Sequence, residues 1–260
     1  MQSLRHRSGM SKILKGNNPF QILAGLPEPK PEPVKQSPVS LASNKGASAV
    51  ATTRDADKEE SKLAGPKKLA NPLVWIDLEM TGLNVECDTI IEIACIVTDG
   101  DIKEVHEGPE IAIFQTDEVM GAMNAWCIEH HGKSGLTKRV SDSTTSMAQA
   151  EEKVLSFIKQ YVPEPNTAQL AGNSVHVDRM FLVKHMPNFI AHLNYRIVDV
   201  SSVKELARRW FPYEYKRAPR KVLAHTALSD IRESIAELQY YRQAVFKPHS
   251  GKSSTQGKNR

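Results

Sequence analysis

The stretch Val74-Trp75-Ile76-Asp77-Leu78-Glu79-Met80-Thr81-Gly82 constrains the fold most: a short apolar run that ends in two carboxylates and a glycine turn. Successive side chains of a strand alternate faces, so Asp77 and Glu79 share one face where the strand runs out. Burying two like charges side by side is costly unless a cation or a proton neutralises them, so the pair reads as metal-ready. Asp77, Glu79, Thr81, Gly82 and Asp88 also fall at positions 1, 3, 5, 6 and 12 of a calcium-loop template. That template needs amphipathic helices on both flanks, and here both flanks read as strands.

The net charge of +4 suggests nucleic-acid binding until it is divided along the chain. Residues 71–246 carry 18 Lys+Arg against 24 Asp+Glu, so the basic excess lies in the tails. An acidic domain is a poor general trap for long nucleic acid, because non-specific affinity scales with the phosphates neutralised. Cys87, Cys95 and Cys127 show no CxxC pair and no zinc spacing, and read as reduced thiols. No apolar run approaches the ~20 residues that span a bilayer, so no membrane partner is expected.

Residues 1–70 read as a tail and linker. The first 27 are basic, contain serine and lack acids, the composition of an organelle-targeting presequence or of a solvated tail; a proline-rich stretch follows. Residues 247–260 form a second basic tail, leaving 71–246 as one folded domain.

Within it, residues 89–98 are rich in β-branched side chains and end at Asp99-Gly100, predicting a second strand and a turn. A third short strand is expected over 111–115, completing an antiparallel meander. The period then becomes helical through Met147, Ala150, Val154, Phe157, Ile158 and Tyr161, with Ser146 and Gln149 forming a capping box. Short strands over 168–171 and 196–198 each precede a helical pattern, and Leu228, Ile231, Ile235 and Leu238 mark a final helix. The order βββαβαβαα predicts an α/β or α+β three-layer domain, a mixed central sheet flanked by helices.

Two further acids lie near expected helix starts: Asp178, beyond the 168–171 strand, and Asp230, five residues after His225. Four oxygen donors without competing cysteine favour Mg²⁺ or Mn²⁺ over Zn²⁺. Two such ions can clamp the attacking and leaving oxygens of an in-line phosphoryl displacement, leaving His225 to take the proton from the attacking water. Taken singly, Asp178 and Asp230 also fit acids favoured by a helix dipole, and His225 fits a surface histidine.

Asp77-x-Glu79, Asp178 and His225-x₄-Asp230, in this order, resemble the motif set of the DEDDh class of 3′-to-5′ exonucleases, which have a ribonuclease H-like fold. Within that class the chain is most similar to the oligoribonucleases. The carrying segments are Trp75-Ile76-Asp77-Leu78-Glu79-Met80-Thr81-Gly82-Leu83, Trp126-Cys127-Ile128-Glu129-His130-His131, Ala171-Gly172-Asn173-Ser174-Val175-His176 and Tyr195-Arg196-Ile197-Val198-Asp199-Val200-Ser201. The resemblance implies that Asp77, Glu79, Asp178 and Asp230 hold two divalent metals and that His225 is the general base. It implies that Leu83 and Trp126 pack on bases and that His131 and Ser174 lie at the bound nucleotides. It places Arg196, Ser201 and, from the other subunit of a homodimer, Tyr195 around the 5′ phosphate of a very short single-stranded RNA. Leu83 and Trp126 also fit core positions, and Arg196 a surface ion pair.

The family usually has arginine after the catalytic histidine, whereas this chain has Thr226, which suits a helix cap. That departure keeps open a catalytically silent RNA-binding protein of the same fold. The seven basic residues between Lys204 and Lys221 read as a solvated helix face or as an attractor for a short anionic substrate. The N-terminal composition predicts a mitochondrial location, with a cytoplasmic one also open.

Overall fold

The computed structural model describes residues 68–219 and 226–247. Residues 1–67 and 248–260 of the tails, and His225, lie outside the described residues, so the readings placed on them rest on sequence.

Five strands form one mixed sheet: β1 (Leu73–Met80), β2 (Ile90–Thr98), β3 (Val105–Ala112), β4 (Gln169–Gly172) and β5 (Asn194–Asp199), in the order β3-β2-β1-β4-β5. The first three are antiparallel neighbours, as the meander predicts, and β4 and β5 join parallel to β1. Nine helices are described: α1 (Asp117–Gly121), α2 (Ala125–Lys133), α3 (Leu136–Asp142), α4 (Met147–Tyr161), α5 (His176–His185), α6 (Pro187–His192), α7 (Val200–Trp210), α8 (Pro212–Arg217) and α9 (Ala227–Ala244).

Alternation along β1 sorts the layers. Val74, Ile76 and Leu78 pack with Val154 and Ile158 of α4, Phe181 of α5 and Phe189 of α6. Leu73 and Trp75, from the opposite face, pack with Val200 of α7 and Ile231 and Ile235 of α9. Sheet and helices therefore form the expected three layers. The capping box of α4 is present in full, Ser146 and Gln149 each bonding the other's backbone.

The structure corrects the reading between β2 and α4. The third strand runs 105–112 rather than 111–115, and 117–142 holds three short helices that the periodicity did not resolve. β3 is an edge strand with most residues at least partly exposed, so it lacks apolar alternation, and it carries Gly108 and Pro109. Gly108 is needed for packing, since a Cβ there would lie 2.5 Å from Cys95 Sγ and from Phe157 Cε1. Thr116 and Asn124 cap α1 and α2, ending each previous segment before a helical period can build up.

Candidate active site

β1 outruns its parallel neighbour. Its pairing with β4 ends at Trp75↔Ala171, while its pairing with β2 continues to Met80. A Cβ on Gly172 would lie 2.8 Å from Ile76 O, so only glycine lets β4 pass this close before the chain turns away. In the notch beyond, the Leu78 amide donates to Asp178 Oδ1 at 3.0 Å. Asp178 sits in the first turn of α5 and is buried. Asp230 sits in the first turn of α9.

Asp77, Glu79 and Asp230 each offer a carboxylate oxygen within 4.8 Å of the others. Asp178 is not part of that triplet, but its charge reaches Glu79. Burial foremost, then the charges of Glu92, Asp230 and Asp178, push the Glu79 carboxyl up to about 8 against the opposing pull of Arg139. Burial likewise raises Asp178, against the two backbone amides that it accepts. A hard divalent cation among these oxygens would relieve the crowding of like charges. The residues therefore fit the metal chemistry expected from sequence.

Opposite Asp77 on β2 stands Ala94, whose small side chain leaves the carboxylate room, and opposite Glu79 stands Glu92. Glu92 is fully buried, and both of its oxygens are held by the Arg139 guanidinium of α3. Neither residue was singled out from sequence, although an acid inside the apolar run Ile90–Thr98 was the available signal.

His131 of α2 is buried. Its Nε2 faces Met80 O at 3.0 Å and must donate to it, which leaves the Nδ1 lone pair turned 3.8 Å from Glu79 Oε2. Burial lowers its pKa, against the bond to Met80 O. A second group forms at the β4 and β5 ends. The Ser174 amide donates to Asp199 Oδ1 (3.0 Å) and to Ser201 Oγ (2.9 Å), and the two serine hydroxyls lie 3.2 Å apart. Asp199 caps α7 through the Ser201 amide and pairs with His176 Nδ1 at 3.1 Å. Ser174 adopts φ +51°, an uncommon left-handed conformation for serine held by these bonds.

Trp126 is 65% exposed and stacks on His130, Leu83 is 49% exposed and Tyr195 71%, so the core reading of Leu83 and Trp126 does not hold. Arg196 lies over the Tyr195 ring at 5.2 Å. These four stand outside both clusters. Thr226 caps α9, its hydroxyl accepting the Ser229 amide, as the sequence suggested. Three of the seven residues of the basic neighbourhood are in ion pairs: Glu205 pairs with Arg208 and Arg209, and Glu237 with Lys204.

The exonuclease family model matches residues 74–238. Mitochondrial oligoribonuclease of Mus musculus is 54% identical over 194 residues, covering 75% of this chain and 81% of that protein. Oligoribonuclease of Arabidopsis thaliana is 49% identical over 201 residues, covering 76% and 90%. Exonuclease I of E. coli, solved in complex with a dT13 oligonucleotide, superposes with a TM-score of 0.52 at 13% identity. That match covers 66% of this chain and 41% of the exonuclease I chain, and it shows the ribonuclease H-like fold. A four-carboxylate notch at the end of β1, the exonuclease match across it and the shared sequence along most of the folded region together place the chain in the oligoribonuclease family of exonucleases.

Proposed function

We propose that this enzyme hydrolyses very short RNA oligonucleotides, dinucleotides included, from the 3′ end to 5′-mononucleotides. The observation that carries this is the convergence of Asp77, Glu79 and Asp230 within 4.8 Å at the notch where Asp178 meets Leu78. In this reading Asp77, Glu79, Asp178 and Asp230 hold two divalent cations, Mg²⁺ or Mn²⁺. The chemistry such ions supply when bound is charge stabilisation at the attacking and leaving oxygens of an in-line displacement.

His225 takes the proton from the attacking water on its imidazole. In the sequence it directly precedes Thr226, the cap of the helix whose first turn carries Asp230. Leu83 and Trp126 offer exposed apolar surface for base packing, which tolerates any sequence. His131, fixed by Met80 O, borders the acidic cluster on the nucleotide side. Ser174 lies at the bound nucleotides, while Ser201 and Arg196, with the partner subunit's Tyr195, close around the terminal phosphate and select short chains. Leu206 and Trp210, one turn apart and exposed on α7, supply an apolar ridge for that second subunit, making the protein a homodimer. The mitochondrial relatives and the acid-free first 27 residues favour a mitochondrial location; retention of a 1–40 reporter fusion in the cytosol overturns it.

Incubation with a dinucleotide and Mn²⁺ tests the activity. Mononucleotide release that disappears with Asp178→Ala, with His225→Ala and with excess chelator is expected. Turnover that survives chelator sinks the metal mechanism, and tight binding without turnover favours the silent RNA-binding protein.

A further inference from the structure

One hydrogen-bonded chain runs between the two clusters. Asn173 follows Gly172, the last residue of β4. Its Oδ1 accepts the Ser201 hydroxyl at 3.2 Å, while its Nδ2 donates to Ser234 Oγ at 2.7 Å and Glu237 Oε2 at 3.4 Å. The Ser234 hydroxyl in turn donates to the backbone carbonyl of Asp230 at 2.8 Å. Ser234 and Glu237 are buried, and Glu237 Oε1 takes an ion pair at 3.0 Å from Lys204, one turn beyond Ser201 on α7.

The donor directions are determined. The Glu237 carboxylate and the Asp230 carbonyl only accept, so the Asn173 amide must face α9 with its nitrogen and Ser201 with its oxygen. The chain Ser174, Ser201, Asn173, Ser234, Asp230 therefore has one consistent proton arrangement, and Asn173 is its only member that touches both α7 and α9. A buried polar network satisfied in this way rigidifies what it joins.

We propose that Asn173 is a positioning residue for the hydrolysis: it ties the segment bearing Ser174 and Ser201 to the first turn of α9 and thereby sets where the Asp230 carboxylate stands in the acidic cluster. The substrate side of this role rests on the reading above, in which Ser174 lies at the bound nucleotides and Ser201 at the terminal phosphate. The metal side does not depend on that reading. Coupling between residues of one network appears as non-additivity in a double-mutant cycle, whereas independent structural damage multiplies.

The test is a calorimetric Mn²⁺ titration of the full chain without nucleotide, alongside dinucleotide kinetics. Asn173→Ala is expected to weaken Mn²⁺ binding at least about fivefold and to lower kcat more than it raises KM. Ser234→Ala, which breaks the same link from α9 with little change in volume, moves both quantities the same way. The double variant binds Mn²⁺ within about twofold of Asn173→Ala alone. Unaltered Mn²⁺ affinity in a folded Asn173→Ala, or losses that multiply in the double variant, overturns the proposal. Ser174→Ala judges the substrate reading separately: an unchanged dinucleotide KM defeats that reading, while the Mn²⁺ titration still decides the role of Asn173.

Discussion

The two faces of β1 are eight residues of one backbone put to opposite uses. On one side Val74, Ile76 and Leu78 meet α4, α5 and α6 in a dry apolar layer. On the other, Trp75 continues such a layer against α9, but one pleat further Asp77 and Glu79 begin a cluster that includes Glu92 and Asp230. The first face is bound by packing, which punishes any lost volume. The acidic end of the second crowds like charges that a bound cation would relieve. The fold thus anchors on one surface of a strand the strain it holds on the other.

Phe189→Ala attacks the packed face with the largest expected effect. Phe189 is fully buried in α6, and its loss should destabilise by about 3–5 kcal/mol. A fall in Tm of about 6–20 °C in calorimetry, with Mn²⁺ affinity per folded molecule unchanged, would confirm that the faces are separable. Trp126→Ala tests the converse at an exposed residue: Tm should hold, while dinucleotide KM rises by about tenfold or more if the ring stacks on a base.

Glu79→Gln sharpens the idea of stored repulsion, with an effect confined to alkaline pH. The Glu79 carboxyl is raised from 4.5 to about 8, so its ionised form is penalised in the fold. Stability of the metal-free protein is therefore greatest when Glu79 is protonated and is lost as pH rises from 4.5 through about 8. In chelator, Glu79→Gln should raise Tm by several degrees at alkaline pH and leave it unchanged near the ordinary carboxylate pKa. Added Mn²⁺ should reverse the ranking, because wild type then gains a ligand that the variant lacks.

The sequence made α4 readable because it buries one face along its length, so period and burial agree, and made β1 and β2 readable as continuous apolar runs buried on both faces. It hid α1 to α3, which are too short to establish a period and bury only a few residues each, such as Met120, Cys127 and Val140. Asp77, Glu79, Asp178 and Asp230 were legible as acids placed at element ends, where water would otherwise be cheaper. The ion pair of Glu92 with Arg139 was not, since the partners lie 47 residues apart on a strand and a short helix. Asn173 and Ser234, 61 apart, were hidden for the same reason: a single amide and a hydroxyl carry no pattern until the fold brings them together.

Where β4 stops, β1 offers a bare strand edge in the middle of the sheet, and the Leu78 amide is closed by Asp178 rather than by a further strand. A carboxylate doing a strand's work keeps that edge from templating the pairing of another chain, the usual hazard of an unpaired edge. It also makes one backbone proton a gauge of the site: the hydrogen-exchange rate at Leu78 reports how often Asp178 lets go.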